Sequence, residues 1–160
     1  MRSPGLAETG QRTEALAASL EAVDLHRELV ALNRDAYLPN LAASVNNHAN
    51  RLAEAGRGTE ALATSLEAVS LRRELFRLNR DAYQPALATS LWNVGVVALK
   101  TDSVTTDEVV ELTAEGVSLF EILAAETPAA FAEQHRAAAR TLARVREREN
   151  TNDRPSDRLA

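Results

Sequence analysis

The feature that most constrains this chain is an internal repeat. Residues 6–44 lie over residues 52–90 at an offset of 46, with 28 identities in 39 positions. LAETGQRTEALAASLEAVDLHRELVALNRDAYLPNLAAS stands over LAEAGRGTEALATSLEAVSLRRELFRLNRDAYQPALATS. A match of this density over a whole supersecondary unit implies a duplicated module, in which each copy buries its apolar face on the next. A third, degenerate copy follows with two extra residues in its turn. Glu108, Val109, Glu115, Val117, Leu119 and Leu123 fall 48 residues beyond Glu60, Ala61, Glu67, Val69, Leu71 and Leu75. Pro128-Ala-Ala-Phe131 takes the slot of Arg80-Asp-Ala-Tyr83.

Each copy reads as two helices. Leu62, Leu66, Val69, Leu71, Leu75 and Leu78 recur at helical spacing and leave Glu67, Arg73 and Glu74 to solvent. Asn79 predicts a left-handed cap at the end of that helix, and Pro85 the first turn of the next. Gly10 and Gly56 predict tight turns, and Thr105 with Glu108 a capping box. The expected layout is a helix stub near 4–9, then helices at about 12–32, 39–55, 58–78, 85–100, 106–126 and 129–148. The units run over about 1–33, 34–79 and 80–127, with a capping helix at 128–149 and a polar, disordered tail at 150–160. On this reading the first unit starts in mid-repeat, and the chain is expected to be part of a longer array.

Composition agrees and narrows the function classes. Ala, Leu, Glu and Arg supply 85 of the 160 residues, against 13 Val and Ile together, which favours helices and excludes a sandwich or barrel. The absence of cysteine excludes disulfides, thiolate metal sites and thiol catalysis. His26, His48 and His135 are too scattered for a metal site, and no cofactor is expected. The first ten residues hold no secretory apolar stretch, and the uncharged run 82–99 contains Gln84, Pro85, Thr89, Ser90 and Asn93. A soluble, cytoplasmic all-α protein is therefore expected, with no membrane partner. The net charge of −5 gives no reason to expect nucleic acid.

At Val45-Asn-Asn-His48-Ala49-x-x-Leu52-x-x-x-Gly56, followed by Ala61 and Ala68, the residues resemble the tetratricopeptide repeats. The resemblance is to the long variety, with a period near 42–46, found in kinesin light chains and large bacterial regulatory proteins. The first unit supplies Gly10, Ala15 and Ala22, and the third Leu91, Val94, Gly95, Ala98 and Gly116. His48 stands where Leu is usual, and Asp102 replaces the turn glycine. The resemblance covers residues 6–148 and implies a right-handed α-solenoid of antiparallel helix pairs. It also implies that ligands lie in the concave groove lined by the shorter helices.

Catalysis finds little support: there is no phosphate loop and no nucleophile elbow. The groove-facing positions expected from the resemblance are Ala43, Asn46, Asn47, Asn50 and Glu54, then Thr89, Trp92, Asn93, Val96 and Lys100. Asn47 and Asn93 are repeat equivalents, and an amide can donate to and accept from a peptide backbone. Trp92 is either a groove anchor or core. His48 aligns with a buried position, while His26 and His135 are placed on solvated outer faces. Trp92 and Val96 stand where a carboxylate-clamping relative would need basic residues, so no chaperone-tail clamp is expected.

Charge divides the chain. Residues 101–135 hold eight acidic groups and no Lys or Arg, whereas Arg136, Arg140, Arg144, Arg146 and Arg148 make the last helix basic. Attraction between those two helices is expected to seat a terminal cap. The reading is a non-catalytic scaffold that binds a protein or peptide in its concave groove. The alternatives are self-association through the open first unit into a homo-oligomer, and a sensor segment regulating a nucleotide-hydrolysing neighbour.

Overall fold

A computed structural model describes residues 5–103 and 105–152. The described residues form six α-helices: α1 (Leu6–Leu32), α2 (Arg34–Glu54), α3 (Gly58–Leu78), α4 (Arg80–Lys100), α5 (Asp107–Glu126) and α6 (Pro128–Asn152). They contain no strand. Each helix packs on the next. The even helices also pack closely on one another, α2 with α4 and α4 with α6, whereas no two odd helices come as close, so the stack curves with its even helices inside.

The repeat offset survives as geometry. Asn33 and Asn79, both in extended conformation, cap α2 and α4 by accepting from the amides of Ala36 and Ala82. The helices therefore start five residues before Pro39 and Pro85, and the expected left-handed asparagine cap and proline first turn are both corrected. The reason is that the side-chain carbonyl satisfies an otherwise orphaned amide without any positive φ. At the end of α2, Gly56 adopts φ 75°, its N–H reaches Ala53 O at 3.1 Å, and Arg57 N–H reaches Leu52 O at 3.0 Å. This is a Schellman closure, and the expected turn glycine fits it.

Gly10 does not repeat that turn. It lies inside α1, which runs unbroken from Leu6, so the expected stub and break are overturned. The sequences LAETG and LAEAG differ at one position yet end differently. Leu52 is buried against Val97 and Ala61, whereas Leu6 is 94% exposed. Without that packing, local propensity extends the helix.

Two more boundaries move. α5 is capped by Thr106, whose hydroxyl accepts from Val109 N–H, and the box expected from Thr105 and Glu108 does not form. α6 continues through Asn150 to Asn152, and the rest of the expected tail, 153–160, lies outside the described residues. The expected acid–base attraction between α5 and α6 forms no ion pair among the described residues. Arg148 instead donates to the carbonyls of Ala98, Leu99 and Thr101, covering the orphaned end of α4.

The largest cluster lies across α3, α4, α5 and α6 and includes Leu87, Leu91, Val94, Val109 and Val145. A smaller one, across α1, α2 and α3, joins Val23, Leu41, Val45 and Ala68. Small residues sit where helices cross most closely. A Cβ built on Gly116 of α5 would lie 2.9 Å from the Trp92 amide nitrogen and 3.2 Å from Ala88 O. Gly116 is the repeat equivalent of the fully buried Ala68, so α5 approaches its inner helix more closely than even alanine would allow.

Candidate functional site

The inner faces of α2 and α4 meet in a depression of about 350 Å³ lined by Asn46, Asn47, Asn50, Arg51, Glu54, Thr89, Trp92, Asn93, Val96 and Lys100. All nine candidate positions from Asn46 to Lys100 converge there. Ala43 is half-buried and does not line it. Arg51 was missed by sequence reasoning, although its place one helical turn after Asn47 is a usable signal. Residues three or four apart on each helix, such as Asn46 and Asn50 or Thr89, Asn93 and Val96, form a stripe along one face.

Repeat equivalence does not give equal environments. Asn47 is exposed, whereas Asn93 is 8% exposed and its Nδ2 is buried without a hydrogen-bond partner among the described residues. Leaving such a donor unmade costs about 1–3 kcal/mol. Asn46 is buried and accepts from the Ser90 hydroxyl at 3.0 Å, linking α2 to α4 across the depression's floor. Thr89 donates to Pro85 O at 2.9 Å.

Trp92 proves to be both wall and core. Its indole N–H donates to Thr141 Oγ1 at 2.9 Å, and its ring meets Phe120 edge-on at 6.0 Å and 85°. One part of the ring is thereby held by α5 and α6, and another borders the depression. Charges are unequal along it. Arg51 and Glu54 pair at 2.8 Å, while Lys100, exposed at the far end of α4, has no ion-pair partner among the described residues. Four amides, a hydroxyl, an indole and a valine make a surface that can exchange hydrogen bonds with an extended backbone and cover an apolar side chain.

The histidines stand elsewhere. His48 is buried as expected, with Nδ1 2.8 Å from Ser19 Oγ. His26, expected on a solvated face, is half-buried and lies 2.5 Å from Ser44 Oγ, because α1 turns that face onto α2. Burial, followed by the charges of Arg57 and Arg27, holds the His48 imidazole below its ordinary value of 6.5. The unfolded chain then takes up a proton that the folded chain resists. Stability is full above about pH 6.5, declines as pH falls through that unfolded-state value, and levels off below the folded one. The urea midpoint should therefore fall more between pH 7.5 and 5.5 in the wild type than in His48→Gln. Equal slopes would contradict this.

Among the described residues no group of three or more His, Cys, Asp or Glu side chains could hold a metal ion, and no helix is long and apolar enough to cross a membrane. No family model matches the sequence, and neither the curated proteins nor the solved structures yield a significant similarity.

Proposed function

We propose that this chain is a right-handed, tetratricopeptide-like solenoid that binds an extended protein segment along the inner faces of α2 and α4, without catalysis. The observation that carries this reading is the convergence of Asn47, Asn50, Trp92 and Asn93 on one depression, in a stack whose even helices lie inside. Asn47 and Asn50 would bond the backbone of the bound segment, with Asn93 behind them, and Trp92 with Val96 would cover one side chain. Trp92 is pinned in place before any ligand arrives, so little ordering cost attends its use.

The test starts from a displayed library of random dodecapeptides selected on the immobilised protein. Asn47→Ala combined with Asn93→Ala should weaken a selected peptide about tenfold or more, since each amide bond contributes about 1 kcal/mol and 1.4 kcal/mol is tenfold. Melting should not fall, because Asn47 is exposed and truncating Asn93 breaks no donor bond. Arg77→Ala, at the exposed end of α3, should leave affinity intact. Equal affinity for the double variant and the wild type would defeat the proposal.

A further inference from the structure

The ion pairs between units follow the repeat. Arg27 of α1 holds Glu67 of α3, and its equivalent Arg73 holds Glu115 of α5 through both carboxylate oxygens. Arg34, at the start of α2, holds Glu74 in the same two-pronged way. Each arginine of a helix pair, α1 with α2 or α3 with α4, thus reaches forward to a glutamate on the next pair. Glu21 and Glu28 are the equivalents of Glu67 and Glu74, shifted by 46 residues. Both are exposed, and neither has an ion-pair partner among the described residues.

The apolar half of that face is also open. Leu71 packs into the clusters that α2 builds on α3, but its equivalent Leu25 in α1 is 52% exposed. α1 therefore carries the acidic and apolar parts of the surface with which α3 receives α1 and α2, and Glu21 and Leu25 on it are exposed among the described residues. Gly10 keeps the residue that, as Gly56, closes the turn into α3.

The other end of the stack is built differently. Glu121 and Pro128 stand where Arg73 and Arg80 would continue the pairing. Ala88 and Trp92, which cover Phe120, are replaced in α6 by the exposed Arg136 and Arg140. A second copy added head to tail would set Glu121 toward Glu21 and bury two guanidinium groups, a costly arrangement. Such an outer face belongs to a terminal cap.

We propose that the open face of α1 is a docking surface for a preceding helix pair of this same repeat. It would join through a turn at Gly10 and present arginines at the positions of Arg27 and Arg34 to Glu21 and Glu28. This inference concerns the stack alone and does not depend on the groove.

The experiment inserts a second copy of residues 10–55 directly before Gly10 in the otherwise full chain. The junction Ala55-Gly10 then reproduces Ala55-Gly56. The extended protein should sediment as a monomer, unfold in one transition and melt about 5 °C or more above the parent, since each added repeat contributes a neighbour interface. Glu21→Arg with Leu25→Gln, made in the original copy, should remove most of that gain while shifting the parent by about 1 °C or less. Three outcomes would overturn the proposal: no rise in melting, equal effects of the double variant in both proteins, or a dimer of the parent that the same variant dissociates.

Discussion

Gly116→Leu is expected to lower stability by about 3 kcal/mol or more, and Gly116→Ala by about 1–2 kcal/mol, although both residues favour a helix over glycine by up to about 1 kcal/mol. The new Cβ would stand 2.9 Å from the Trp92 amide nitrogen and 3.0 Å from Leu91 Cβ. A flexible side chain could move aside, but the Trp92 nitrogen is held in the α4 backbone. α5 must then withdraw from α4 and open the contact that buries Phe120 and Leu123. For a chain of this size the leucine variant should melt roughly 6–12 °C lower. Thermal unfolding followed by circular dichroism reads this directly, and an alanine variant as stable as the wild type would show that the helices do not approach so closely.

Phe120→Ala should cost about 3–5 kcal/mol. The ring is 1% exposed, contacts the cluster of Ala88, Leu123 and Ala138, and supplies the edge-on partner of Trp92. Its loss leaves a cavity between α4, α5 and α6, and the indole loses its edge-on partner while keeping its bond to Thr141. Because Trp92 is the sole tryptophan, its emission should shift in the folded variant before any unfolding begins. The same substitution should weaken a groove-bound peptide, since the wall it meets is no longer held. Urea unfolding measures the first effect, and an unaltered emission maximum would show that Phe120 does not position the ring.

These two residues illustrate what the sequence made legible. The repeat offset and the leucine spacing predicted paired helices, because both follow from periodicity, and the groove-facing asparagines were expected from the resemblance. The ends of elements were less accessible. Pro85 reads as a first turn, yet Asn79 caps α4 five residues earlier through its own side chain. Gly10 and Gly56 sit in nearly identical words, and what separates them is the burial of Leu52, a contact with α4 through Val97. The double role of Trp92 was likewise hidden, since Thr141 lies 49 residues away on a helix that the repeat describes only weakly. Local patterns specify faces; distant contacts decide which boundaries and side chains those faces retain.

The most direct test of the central claim follows Trp92 emission while a library-selected peptide is titrated into the wild-type protein. A peptide lying along α2 and α4 must cover the indole edge beside Asn93 and Val96, so emission should shift saturably with the occupancy measured by calorimetry. The shift should need about tenfold more peptide in the protein carrying Asn47→Ala and Asn93→Ala. Tight calorimetric binding with no change in Trp92 emission, and with affinity unmoved by the double variant, would place the peptide elsewhere and contradict the account.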